Sequence, residues 1–154
     1  MTAIVVEGVE GLRALPLGKT LGTSDWVEIT QDMVNLFAEA TGDHQWIHVD
    51  VERAKKESPF GGPIAHGYLT LSLVPRLMPE ILEFAGFPMT VNYGCEKVRF
   101  PSPVPVGSRL RATASVQQVT DVAGGVQVAI EMAMTVEGAA KPACVATILI
   151  RKYT

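Results

Sequence analysis

Long apolar runs are missing from this sequence: none approaches the roughly 18 residues that a membrane-spanning helix needs. The start, Met1-Thr2-Ala3-Ile4-Val5-Val6-Glu7, has no basic segment ahead of its apolar residues and does not read as a secretory signal. Clustered positive charge is missing too. Thirteen Lys and Arg stand against sixteen Asp and Glu, for a net charge of −3. The densest basic group, Arg53, Lys55 and Lys56, is interleaved with Glu52 and Glu57 and reads as a solvated helix face rather than a nucleic-acid footprint. Cysteine is scarce. Cys95 and Cys144 are far apart in strand-like surroundings and make neither a disulfide framework nor a metal site. These absences lead to the expectation of a cytoplasmic protein that partners neither nucleic acid nor membrane.

What is present is enough for a core. The 154 residues amount to one domain, 47% of them are hydrophobic and only 19% charged, which rules against disorder. No linker or internal repeat divides the chain, so residues 1–154 read as a single unit. Residues 1–25, punctuated by Gly8, Gly11, Pro16, Gly18 and Gly22, read as an irregular or short-helical lead-in.

Trp26-Val27-Glu28-Ile29 reads as a short strand. Thr30 suits a helix N-cap, Met33, Val34, Phe37 and Ala40 follow at helical spacing, and Gly42 is a natural left-handed C-cap. Asp50 can cap a short charged helix over about 51–57, and Ser58 to Pro63 is a loop by composition. From Ala65 to about Phe84 apolar residues fall on every side, as in a helix wrapped by other structure, with a kink or break expected near Pro75. The period then changes. Residues 91–100 are rich in β-formers, Leu110, Ala112, Ala114 and Val116 alternate with polar residues, Gly124-Gly125 signals a hairpin turn, the run Val126 to Val136 reads as a long strand with one buried face, and Cys144, Ala146, Ile148 and Ile150 read as a last strand. One buried helix followed by antiparallel strands implies an α+β fold, with the sheet curled around the helix.

The chemistry concentrates between Thr41 and Gly67, where all three histidines lie. Asp43 and His48 are five residues apart in a nonperiodic segment, and a carboxylate and an imidazole so placed can hold one water between them and divide its protons. The same residues also fit a capped turn and a satisfied core histidine. Gly67 opens the apolar helix, where the first N–H groups have no internal partner and a ligand oxygen can approach. That suits an oxyanion hole, and equally a glycine demanded by the entry turn. Asp43, His44, His48, Asp50 and His66 include possible metal ligands, yet Gly42 has just ended a helix and Trp46-Ile47 interrupts a polar cage, so no metal site is expected.

Thr41-Gly42-Asp43-x-x-x-x-His48-x-Asp50 followed by Ile64-Ala65-His66-Gly67 resembles the hydratase motif of the MaoC-like dehydratases, the (R)-specific enoyl-CoA hydratases. Gly42 to His48, with Tyr93-Gly94 and Lys97-Val98-Arg99-Phe100-Pro101, is similar to the branch that includes nodulation protein N. The resemblance covers most of the chain from about Trp26. It implies a hot-dog fold, a homodimer, and reversible hydration of trans-2-enoyl-CoA to (3R)-3-hydroxyacyl-CoA without metal or redox cofactor, the acyl-CoA thioester being the substrate. It carries the catalytic aspartate onto Asp43, the catalytic histidine onto His48 and the oxyanion glycine onto Gly67. Gln45, Trp46, Ala65 and His66 become candidates for contact with substrate. Many family members have Asn-Pro where this chain has Gln45-Trp46, and some have a serine near Pro75, so the resemblance leaves acyl length open. The rival readings are a hot-dog thioesterase and a non-catalytic acyl-thioester binder, since fold alone does not fix function.

Overall fold

The structure, a computed structural model, describes residues 2–154. In chain order it contains β1 (Ile4–Glu7), α1 (Gly8–Arg13), β2 (Gly22–Thr23), β3 (Val27–Glu28), α2 (Gln31–Thr41), α3 (Trp46–Val49), α4 (Val51–Glu57), α5 (Gly67–Ser72) and α6 (Val74–Leu77). A 3₁₀ turn at Met78–Glu80, β4 (Leu82–Ala85), β5 (Met89–Arg99), β6 (Arg109–Val122), β7 (Gly125–Val136) and β8 (Cys144–Tyr153) complete it.

The four long strands form the body of one antiparallel sheet in the order β6-β7-β8-β5, with short β2 and β3 both pairing with β6. The period-2 pattern decides which face is buried. Val126, Val128, Ile130, Met132, Met134 and Val136 of β7 all point into the core beside Leu110, Ala112, Ala114 and Val116 of β6. Leu69, Leu73, Val74 and Leu77 of the helical segment fill the concave side. This is the expected α+β sheet around a helix.

The local caps behave as their chemistry requires. Thr30 Oγ1 accepts from Met33 N at 3.2 Å, Gly42 takes the left-handed conformation at φ 78°, and Asp50 Oδ1 accepts from Arg53 N at 3.1 Å.

Three expectations are corrected. The apolar helix does not reach Phe84. It breaks at Leu73, resumes as α6 with Pro75 in its first turn, tightens at Pro79, and the chain from Leu82 is a strand. Residues 1–25 are more ordered than a lead-in. The strand β1 pairs in parallel with β4, from Ile4 opposite Leu82 to Glu7 opposite Ala85, and Leu12 of α1 is fully buried. Pro79 discourages a continuing helix, and pairing with β1 satisfies the backbone of Leu82 to Ala85 instead, so the strand wins there. Nor is α5 wrapped on every side. Tyr68, Ser72, Pro75 and Arg76 form an open face.

Candidate active site

Residues 43–50, read from sequence as nonperiodic, contain the single turn α3, which carries His48 inward. Two bonds to other segments fix that turn. Gln31 Nε2 on α2 donates to His48 O at 2.8 Å, and Ile64 N donates to Ile47 O at 3.0 Å. His48 is 7% exposed. Its Nδ1 lies 2.6 Å from Ile64 O, and because a carbonyl only accepts, Nδ1 carries the proton and Nε2 the lone pair. Burial lowers the His48 pKa below 6.5, helped by His66 and opposed by the Ile64 hydrogen bond and by Asp43.

Asp43 sits just past the Gly42 cap, half exposed, with Oδ1 accepting from Gln45 N at 3.3 Å. Asp43, His48 and His66 bring one ligand-type atom each within 4.8 Å of one another. That spacing admits one bridging water between the carboxylate and an imidazole. It suits a metal poorly. The His48 and His66 rings are stacked at 3.9 Å and 25°, so their in-plane lone pairs run side by side instead of converging. His48 Nδ1 and His66 Nε2 are moreover occupied by the carbonyls of Ile64 and Asp43.

Beside His48 a cavity of about 310 Å³ opens, lined by Phe60, Ile64, Ala65, Gly67, Thr70, Phe100, Pro101, Ser102, Pro103, Val104, Ala143 and His48 itself. Gly67 is the first residue of α5, and among the described residues nothing accepts from its N–H. A Cβ at Gly67 would lie 3.1 Å from ring carbons of Phe100, so the glycine also makes room for that ring. Phe100 reaches there because β5 has an irregular register between Glu96 and Arg99, with Lys97 at φ 53°, before the chain turns at Pro101. A second cavity, about 380 Å³, follows the open face of the helix and is lined by Leu71, Ser72, Val74 and Pro75, Asn92 to Cys95, and Ile148.

The structure therefore brings Asp43, His48 and His66 together and places His48, Ala65 and Gly67 on one cavity. Gln45 and Trp46 are not among the lining residues, and Arg53 lies 4.2 Å over the Trp46 ring instead. His66 stands behind His48, away from the cavity wall. Sequence reasoning missed Phe60, Thr70 and Ser102 as wall residues. Phe100 lay in the quoted Lys97 to Pro101 run without a role. Cys144 is buried, which pushes its thiol up to about 11, out of reach of thiolate chemistry.

With this geometry in hand, known proteins agree on one lineage. The family described as MaoC like domain matches residues 13–138. The chain belongs to the MaoC-like dehydratase family. The 3-hydroxyacyl-thioester dehydratase Z of Mycobacterium tuberculosis is 56% identical over 139 residues, 90% of this chain and 91% of that protein. Nodulation protein N of Rhizobium meliloti is 54% identical over 100 residues, 61% of this chain and 59% of that protein. The (R)-hydratase of A. caviae involved in PHA biosynthesis shares the hot-dog fold at a TM-score of 0.73 and 21% identity, covering 91% of this chain and 98% of that one. The chain is thus an enzyme of the hydratase–dehydratase type. Among the described residues no helix is long and apolar enough to cross a membrane.

Proposed function

We propose that this enzyme hydrates trans-2-enoyl-CoA reversibly to (3R)-3-hydroxyacyl-CoA. The observation that carries the reading is the meeting of the Asp43 carboxylate and the His48 imidazole beside a cavity where the Gly67 N–H has no protein partner. A water held between Asp43 and the bare Nε2 of His48 faces the β-carbon of the substrate. Asp43 takes a proton from the water as its oxygen bonds to that carbon. The displaced π electrons move toward the thioester oxygen, where the Gly67 N–H stabilises the developing charge. The proton taken from the water is returned through His48 to the α-carbon, so one H₂O is added overall. The step needs no metal or redox cofactor, and activity should survive a chelator. The acyl chain runs from the His48 cavity toward the second one, which includes Pro75.

The same reading includes a homodimer. Among the described residues the strand β5 pairs only with β8, and it is exposed along nearly its whole length, with Met89, Val91 and Tyr93 at 52%, 39% and 56%. An edge so long and apolar calls for a partner, and the open face of α5 lies beside it. Sedimentation is expected to give twice the 16.5 kDa of one chain, and a sole 16.5 kDa species at micromolar concentration would refute the dimer.

The test of the activity is crotonyl-CoA. Loss of the enoyl absorbance with no free thiol, abolished by Asp43→Asn, is the expected result. Release of thiol would make the protein a thioesterase, and no change at all would overturn the substrate.

A further inference from the structure

His66 is buried to 3% exposure and lines neither large cavity. Its surroundings are nonetheless specific. One face of its ring stacks on His48 at 3.9 Å and 25°, and Phe37 of α2 lies at 4.9 Å and 52°. Its Nε2 lies 2.9 Å from the backbone carbonyl of Asp43 and 4.0 Å from that residue's carboxylate. Its backbone is the N-cap of α5, immediately before Gly67, and it makes no side-chain cap there. Its Nδ1 is buried with no partner. A core-filling residue needs none of this polarity, because a phenylalanine would satisfy the same space without an orphaned nitrogen.

We propose that His66 is a positioning residue: one imidazole sets the ring plane of His48 through the stack and the backbone of Asp43 through the Nε2–H donor, so that both ends of the dyad face one water. The inference rests on the Asp43/His48 reading above. The carbonyl of Asp43 only accepts, so the His66 proton sits on Nε2 and its lone pair on the unpartnered Nδ1. His48 has the opposite tautomer, with its proton on Nδ1 toward Ile64 O. The two stacked rings therefore point their N–H groups at different carbonyls, which pins both rotations at once. Asp43 is the charged side chain that faces the pair, drawing protons toward His48, while His66 and burial act against it. His44 on the same loop and Glu39 on α2 face each other at the surface, 3.6 Å apart.

Two substitutions separate the halves of the role. His66→Gln keeps an N–H near the Nε2 position and loses the stacked ring, whereas His66→Phe keeps a ring and loses the donor. Each is expected to lower kcat about tenfold, and His66→Ala about a hundredfold, with KM changed by less than about threefold, since a misplacement near 1 Å costs on this order. A buried filler would leave kcat unchanged in His66→Phe. A folded His66→Phe protein with wild-type kcat, or one whose KM rises as much as its kcat falls, would overturn the proposal. Should the variants not fold, the ¹⁵N shifts of wild-type His66 still decide: a proton on Nε2 supports the assignment and a proton on Nδ1 refutes it. Wild-type protein inert toward crotonyl-CoA would instead sink the activity reading, and the ¹⁵N measurement would still judge His66.

Discussion

Substitution at Gly67 separates the backbone donor from the space around it. A methyl there meets three Phe100 ring carbons at 3.1, 3.1 and 3.2 Å, whereas carbon atoms settle at roughly 3.5–4.0 Å. The ring must therefore move by about 0.3–0.9 Å, the difference between these distances. Phe100 is 41% exposed and lies just past the end of β5 at the sheet edge, so it has room to give. Overpacking at Gly67→Ala should cost about 1 kcal/mol, the low end of the usual range, or roughly 2–4 °C in melting temperature for a chain of this size. Gly67→Ala keeps the N–H. Gly67→Pro places a Cβ at the same point, removes the N–H and puts Cδ on the nitrogen. Proline is at home on the first residue of a helix, and His66 at φ −60°, ψ 138° already has the extended conformation that a residue before proline prefers. Comparing the two variants thus cancels the Cβ contact with Phe100 and leaves the loss of the donor together with the ring carbons that replace it. Loss of one oxyanion donor costs about 10²–10³ in kcat. We expect Gly67→Pro to turn over crotonyl-CoA more slowly than Gly67→Ala by that factor, with both proteins folded by circular dichroism. Because the donor acts mainly as charge develops, the loss should appear in kcat more than in KM. Equal turnover of folded Ala and Pro variants would refute the oxyanion role and leave Gly67 as space for Phe100.

Asp43→Asn and His48→Gln should each lower the rate about 10²–10⁴-fold, and the double variant should be little worse than either, as residues acting on one water behave as a unit; multiplicative losses in steady-state kinetics would show independent roles. The His48 pKa is lowered by burial, so the folded protein resists its protonation, and the acid limb of kcat/KM should fall below pH 6.5. By the same sign, the stability this group contributes is present above pH 6.5 and lost as pH drops through its folded pKa, which chemical denaturation at several pH values will report. Lys152 continues the inward parity of β8 and is 6% exposed, with Nζ 2.7 Å from Thr90 Oγ1 and 4.1 Å from the Phe84 ring centroid. Burial lowers its pKa below 10.5, so stability should rise with pH in the window between the folded value and 10.5. Lys152→Met should gain about 1–2 kcal/mol, a few degrees in melting temperature; a less stable variant would show that the contacts to Thr90 and Phe84 outweigh desolvation.

The parts of the fold legible in the sequence were those decided locally. Thr30, Gly42 and Asp50 cap helices through bonds to residues at most four positions away, so their chemistry is readable in place. The one-face parity of β7 is decided by the pleat alone. The strand β4 was not legible, because Leu82 to Ala85 is a short piece after a helix and its partner β1 lies far away at the start of the chain. The same division holds in the site. Asp43, His48 and Gly67 were visible as a motif. The stack of His66 on His48 was not, since Phe37, Asp43, His48 and His66 come from three separate segments. The role of Phe100 depends on a register shift in β5, and nothing in the alternation of residues 91–100 announces one.

What orients His48 is neutral. His48 Nδ1 is held by a backbone carbonyl, Ile64 O, and not by a carboxylate. A carboxylate in that position would favour the imidazolium and raise the pKa, whereas a carbonyl fixes the tautomer with a weaker pull, so burial wins and the pKa falls. The one carboxylate of the site, Asp43, lies within 4.8 Å of a His48 nitrogen instead. On the reading proposed above, that places it across a shared water from Nε2, and the lowered pKa of His48 leaves Nε2 unprotonated at neutral pH. A carboxylate replacing the Ile64 carbonyl would keep the same tautomer but raise the His48 pKa, so that Nε2 would be protonated over more of the neutral range. Ile64 O is available for this work because Ile64 and Ala65 run as an extended segment, with Ile64 N bound to Ile47 and Ala65 N to Val104. The extended run Ile64-Ala65 thus sets the tautomer of His48 and delivers His66 and Gly67 to the start of α5, which is why the chemistry depends on backbone geometry as much as on the two titratable side chains.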